Sequence, residues 1–427
     1  MKILKSQLAD ALKALGKVSD QIRIAGRDNV AVLGACNGVE QVTISLDTEC
    51  PEPFVAIVTL LALKQALASG TKGTVELKVE RDEVGLYSVC RGGSRRVGMR
   101  NLDEPWPELE EVPDTAACVE LPDSFMSAMA HVATAVDRNE SRKYLRGINL
   151  SCHGITATDG KQLLHVPMLN DLAHDLILPF PYSLLMAKPQ GISKISVWKQ
   201  AAVTMFCLEV GCFEWYAPAV DGNFPAWKHI IPRQETLDSS ITFNDTKAVI
   251  DFLNDIPNRG QVNAVELCAS DHMVVMSSTA FPELEIETPA GIIGKPSLAM
   301  NKPILLRMLK LGYNTLKSNS HDFTPVLAEG GIGVYVAMPV RVMKKLNQVT
   351  ESVNKEIYKM EDAKKIETEP LDELNAGIEE LRQNLKTLFD ASAQLSRKLK
   401  EATLAQKQKE REYVQARRAI ERIRAAV

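Results

Sequence analysis

The sequence predicts an α+β chain in which one unit, two helices on a curved antiparallel sheet, occurs three times and is followed by a long α-helical coiled coil. Three observations carry this. Short helical runs closed by glycine recur at one interval, period-two apolar runs fill the stretches between them, and beyond residue 342 the pattern changes to a heptad. With 427 residues and 45% hydrophobic content, the chain is long and apolar enough for about three domains with real cores.

The short helices read LLALKQALASG, YSLLMAKPQG and ILLRMLKLG, ending at Gly70, Gly191 and Gly312, a spacing of about 121 residues both times. A glycine after a helix relieves left-handed backbone strain, so any one of them is ordinary; the equal spacing is the signal. The longer helices recur in step. Leu4, Leu8, Leu15, Val18 and Ile22 share one face of the first, Phe125, Met129, Val132 and Val136 mark the second, and Ile250, Leu253 and Ile256 a shorter third. VTISL, TVELKV, ISVWK, VTMFCLEV and VVMSS alternate as strands of half-buried sheets do. The units are expected at 1–118, 119–236 and 237–342.

Residues 343–427 differ. Apolar residues from Leu371 to Val427 keep one 3,4 register broken by Ser392, Gln406 and Lys409, a helix of about eight heptads and roughly 85 Å. Pro370 separates it from a shorter helical stretch between Leu346 and Met360. The heptads could fold back on that stretch or pair with those of other chains.

Composition excludes several classes. A net charge of −4 argues against binding nucleic acid by bulk attraction, so any such contact must be local. No stretch reaches the roughly 18 apolar residues of a membrane span. A cytoplasmic protein is expected. Cys36, Cys50, Cys90, Cys118, Cys152, Cys207, Cys212 and Cys268 stand singly, without zinc-site spacing, and read as reduced core residues. GIIGKPS (291–297) is too short between its glycines for a phosphate loop, with Pro296 where a helix should begin. The seven histidines are dispersed, so no catalytic centre, metal or cofactor is expected.

Four local motifs then carry a resemblance. SRKYLRGINL is similar to a Tyr-Leu-x-Gly strand, GITATDGKQLLHV to a Thr-Asp-Gly-x-x-Leu turn, GNFPAWKHIIP to a Phe-Pro-x-Tyr-x-x-x-x-Pro linker, and VYVAMPVR to a closing Tyr-Val-x-Met-Pro-x-Arg strand. In this order on a threefold repeat, they resemble the bacterial DNA polymerase III beta subunit, the sliding-clamp family, over about residues 1–342. The resemblance implies three repeated sliding-clamp domains per chain and a head-to-tail homodimer ring around double-stranded DNA. Such a ring is a non-catalytic processivity factor that tethers DNA polymerase, clamp loader and other clamp-binding proteins. A mobile-element or divergent homologue acting as a scaffold through its C-terminal helices is the alternative, because family clamps end at the Met-Pro-x-Arg strand.

Carried over by position, the family's peptide pocket would comprise Leu145, Thr158, Gly160, Lys161, Gln162, Leu163, Pro225, His229, Ile230, Val326, Val336, Met338, Pro339, Val340 and Arg341. The residues have their own logic: Asp159-Gly160 suits a chain reversal, Pro339 suggests an edge strand, and Met338 beside aliphatics makes an adaptable groove. Gln162 and His229 stand where basic residues are commoner in the family, and Ala337 replaces a larger aliphatic. The resemblance places Lys13, Lys17, Arg23, Arg142, Lys143 and Tyr144 at the DNA, where basic groups would meet phosphates without sequence preference; a solvated charged face is the plain alternative. Asp245, Asp251 and Asp255 on the third helix suit an inner wall poorly. Trp106, in EPWPEL, is the expected aromatic anchor of the dimer interface.

Overall fold

The computed structural model describes residues 2–341 except 51, 69–72, 83–84, 93–94, 101–105, 107–110, 258–262, 271 and 320–323. Gly70, the helix expected at 346–360 and the heptads expected at 371–427 therefore lie outside the described residues, as does the side chain of Cys90.

One order of ten elements occurs three times. The first run is β1 (Lys2–Leu4), α1 (Lys5–Leu15), β2 (Gln21–Arg27), β3 (Val30–Cys36), β4 (Gln41–Asp47), β5 (Phe54–Thr59), α2 (Leu60–Ala68), β6 (Thr74–Asp82), β7 (Gly85–Gly92) and β8 (Arg95–Arg100). The second is β9 (Ala117–Leu121), α3 (Phe125–Val132), β10 (Ile148–Ser151), β11 (Gly154–Thr158), β12 (Gln162–Pro167), β13 (Leu176–Leu178), α4 (Tyr182–Ala187), β14 (Ser193–Gln200), β15 (Val203–Val210) and β16 (Phe213–Pro218). The third is β17 (Ser239–Phe243), α5 (Thr246–Asp255), β18 (Ala264–Ser270), β19 (Met273–Ser278), β20 (Glu285–Ile293), β21 (Ser297–Asn301), α6 (Lys302–Lys310), β22 (Thr315–Ser318), β23 (Val326–Glu329) and β24 (Val334–Ala337).

The helices form where apolar residues recur every three to four positions. α3 buries Phe125, Met129 and Val132 completely. α5 begins at Asp245, whose carboxylate accepts from the Ala248 N–H at 3.0 Å, so one of the three acidic residues is a cap. The first helix is shorter than its apolar pattern: Leu4 belongs to β1 and is 49% exposed, Val18 follows the helix, and Ile22 lies in β2. A strand entering the helix and a strand leaving it contributed residues that fit both periods. The terminal glycines also divide. Gly312 follows α6 with φ +89, as a helix end requires, but α4 is closed by a left-handed Lys188, and Gly191 (φ +124) instead lets the chain approach Gly211. Cys36, Cys50 and Cys207 are buried, whereas Cys118, Cys212 and Cys268 are exposed, so the expectation of core cysteines holds only in part. GIIGKPS runs from the end of β20 into β21, which pairs with β18, so a strand and not a helix follows the glycines.

Among the described residues three antiparallel sheets result, in the orders β1-β6-β7-β8, β5-β2-β3-β4-β16-β15-β14-β9 and β13-β10-β11-β12-β24-β23-β22-β17-β20-β19-β18-β21. The two larger ones join successive repeats by the same device. β4 bonds to β16 over Gln41–Ile44 and Phe213–Tyr216, and β12 bonds to β24 over Gln162–His165 and Val334–Ala337. β24 is thus an interior strand, not the edge that Pro339 suggested. The strand ends at Ala337, so Pro339 is never asked to donate a ladder hydrogen bond. Helices cover one face: α1 packs on β3 and β4 and against α4, and α3 on β11 and β12.

The β12–β24 join requires glycine at one end. Gly333 has φ +84, and a Cβ there would lie 2.2 Å from the His165 carbonyl oxygen; Gly38 has the same φ with open space around it. Gly333→Ala is expected to lose several kcal/mol more than Gly38→Ala, which should cost about 1 kcal/mol. Urea unfolding of the two variants checks this, and equal losses would contradict it.

Candidate functional site

β12 and β24 present two faces because successive side chains alternate. Leu164, Val166, Tyr335 and Ala337 face the main core under the helices. On the other face Leu163, Val336 and Leu327 form a second apolar cluster with Trp227, and Phe224, Ile231, Leu237 and Val334 pack against it. Trp227 sits in a 3-10 turn of the linker between the second and third repeats. Its ring lies 4.2 Å from that of His165, which is buried and meets the Thr156 hydroxyl through Nδ1 at 2.9 Å. At the rim Met338 and Ile230 remain 42% and 41% exposed, apolar surface that a ligand could cover.

The Asp159-Gly160 turn closes one end. Asp159 Oδ1 accepts from the Lys161 and Gln162 N–H groups at 2.8 and 2.9 Å, Thr158 donates to the Gln162 carbonyl at 2.6 Å, and Gly160 takes φ +83. The Met338 N–H donates to the Lys161 carbonyl and the Val340 N–H to Ala299, so Met338 and Pro339 span from β12 to β21. Pro225 accepts from the Trp227 N–H, and His229, Lys161 and Arg341 are exposed at the surface. Leu145 is buried in a 3-10 turn, Lys143–Arg146, where a strand was expected; the strand begins at Ile148.

Two expected pocket residues lie on the face opposite Leu163 and Val336. Val326 belongs to the main core, and its neighbour Leu327 faces the apolar cluster. A carry-over displaced by one residue in a strand exchanges the faces. Gln162 likewise turns under the helices, where its Nε2 donates to Asp159 Oδ2 at 2.7 Å and its Oε1 accepts from Arg307 at 2.7 Å and from the Tyr335 hydroxyl. Trp227, Phe224 and His165 were missed, although Trp227 occupies the aromatic position of the linker motif.

The candidate DNA residues do not share one surface. Lys13 and Lys17 are exposed at the end of α1, Lys13 paired with Asp10 at 2.7 Å. Arg23 is in β2 between the buried Ile22 and Ile24, and so projects from the face opposite α1. Arg142 pairs with Glu140 at 3.0 Å, which holds that half-buried carboxyl down at about 2, and its guanidinium borders Gly160. Tyr144 packs against Gly222 of the linker, and Lys143 is exposed. Arg138, unremarked in the sequence, donates to the Tyr182 hydroxyl at 2.9 Å and lies 5.2 Å from the centroids of Phe180 and Tyr182. The Trp106 ring lies beside Gly34 of β3, a contact inside the chain. Among the described residues no three His, Cys, Asp or Glu are grouped to hold a metal, and no helix is long and apolar enough to cross a membrane.

No family model and no curated protein matches the chain. Solved structures do. The DNA polymerase sliding clamp of Bacillus subtilis superposes with a TM-score of 0.65 at 18% identity, covering 80% of this chain and 99% of that one. The chain has the sliding-clamp fold. Two clamps of Pseudomonas aeruginosa, one bound to griselimycin, give TM-scores of 0.64 and 0.63 at 19% and 18% identity with the same coverage. In the clamp fold of this chain, the second apolar cluster lies at the join of the second and third repeats.

Burial beside Trp227 lowers the His165 pKa from 6.5 to about 4. The unfolded chain therefore takes up this proton first as pH falls below 6.5, and stability is lost down to about pH 4, by roughly 2–3 kcal/mol. Urea unfolding at pH 7 and 4.5 should show this loss reduced in His165→Gln. An identical loss in the variant would contradict the assignment.

Proposed function

We propose that this protein is a DNA processivity clamp: two copies close head to tail around double-stranded DNA and tether DNA polymerase and other replication proteins, without chemistry of their own. Units at 1–118, 119–236 and 237–342 would each supply a sixth of the ring. The observation that carries the reading is the repeated join. In both joins the first four residues of the third meander strand of one repeat bond to the first four of the last strand of the next. Among the described residues two edges of this kind lack their counterpart: the second edge of β20 over Glu285–Pro289, and the outer edge of β8. Joining them between copies in the same register would set Glu285–Thr288 (EIET) against Arg95–Gly98 (RRVG), acidic sequence against basic.

The apolar cluster around Leu163, Trp227 and Val336, with exposed Met338 and Ile230, suits a short partner peptide with apolar anchors. Lys13, Lys17, Lys143 and Arg138 are the groups we assign to phosphate contact. Arg23 is left out because of its face. The dimer contact passes to β8 and β20 from Trp106, whose ring lies beside Gly34 of its own chain.

Sedimentation of the full chain tests the ring. Glu287→Lys should lower the assembly mass toward half with the circular dichroism spectrum unchanged, and Arg96→Glu, which faces it in this register, should restore it. A wild-type monomer at micromolar concentration would sink the ring. The pocket predicts that a peptide with a glutamine and a hydrophobic pair binds at micromolar Kd, about −8 kcal/mol. Met338→Ala with Leu163→Ala should abolish binding without changing the mass; binding that survives puts the partner elsewhere.

A further inference from the structure

Gln162 was expected to meet a ligand, yet its amide is already occupied. Nε2 donates to Asp159 Oδ2, while Oε1 accepts from Arg307 of α6 and from the Tyr335 hydroxyl of β24. The side chain is 4% exposed. These bonds cross the repeat boundary: Asp159 and Gln162 belong to the second repeat, and Arg307 and Tyr335 to the third. They also continue into the turn. Asp159 uses its other oxygen to fix the Lys161 and Gln162 N–H groups, and the Lys161 carbonyl in turn receives the Met338 N–H.

We infer that Arg307, Gln162 and Asp159 are positioning residues for the peptide groove, a hydrogen-bond chain on its reverse side that sets the Gly160 turn and Met338 from the helix layer. The inference rests on reading that groove as the peptide site. The polarity of the chain is fixed. Arg307 can only donate, so Oε1 must face it; Nε2 must then face Asp159, and a flipped amide would oppose donor to donor and acceptor to acceptor. Buried polar links of this kind are costly when half satisfied, so losing one member releases the turn instead of being absorbed locally. Met338, 42% exposed, is tied to that turn by its own N–H, with β24 before it and the Val340–Ala299 bond after it.

Directionality gives the test. In Asp159→Asn the turn oxygen can be kept, but the Oδ2 acceptor becomes a donor facing the Gln162 donor. In Gln162→Glu the amide donor becomes a carboxylate oxygen facing Asp159. Each alone should raise the Kd of the glutamine-hydrophobic peptide about tenfold and speed amide exchange at positions 161 and 162. Combining Asp159→Asn with Gln162→Glu re-forms the chain with one link reversed. The new amide at position 159 then donates to the new carboxylate at position 162, whose other oxygen still accepts from Arg307 and Tyr335. Affinity should return to within about twofold of wild type. Arg307→Met, which removes the far end, should weaken binding with the assembly mass unchanged. If the wild type binds no such peptide, the function reading fails and this inference with it. If it binds and the single variants bind equally well, or the double variant is no better than either single one, the positioning role alone is overturned.

Discussion

A sheet edge exposes a row of unpaired N–H and C=O groups, and the need to satisfy it organises this molecule. The second and third repeats each end in a strand that bonds to the third meander strand of the repeat before it, so two edges disappear at every join. The rule is applied twice within the chain, and the edges of β8 and β20 are what remain of it. A single intramolecular device thereby supports a reading of intermolecular assembly, and no separate interface needs to be invoked.

The same joins create the site. Where β12 meets β24, period two sends Leu164 and Tyr335 into the core and Leu163 and Val336 to the far side, and the linker lays Trp227 over the exposed half. A cluster of this origin draws its residues from two repeats and from the linker between them. Its shape depends on how they are held together, which is why the polar chain behind it, through Gln162 and Arg307, bears on the apolar surface in front. The first join is built alike but differs in chemistry: Thr43 donates to Glu214 at 2.8 Å, and Trp215 donates to Glu40, whose burial raises its pKa.

Much of the architecture was legible because alternation and helical periodicity are local properties. Phe125, Met129 and Val132 lie on one buried helix face as their spacing requires, and the runs VTISL and VTMFCLEV fall within strands. What failed depended on partners distant in sequence. Leu4 and Ile22 extend the period of α1 but belong to strands; Pro339 reads as an edge because nothing local shows that its strand has ended. Motif position grouped the turn, Leu163 and Met338, which the β12–β24 pairing and the Met338–Lys161 bond do bring together. It could not locate faces, so Val326 stood in for Leu327 and Arg23 was grouped with Lys13. Trp227 was within the quoted linker, and its role follows only from the strand it covers.

Head-to-tail closure through β8 and β20 is the central claim, and cross-linking between copies tests it most directly. In the proposed register residue 287 faces residue 96, at a separation suited to a disulfide. Full-length Glu287→Cys and Arg96→Cys variants are mixed and mildly oxidised, and the linked peptides are identified by mass spectrometry. The account predicts a 287–96 link in the mixture and neither a 287–287 nor a 96–96 link in either variant alone. A 287–287 link, or no 287–96 link while the protein remains an assembly, would contradict it.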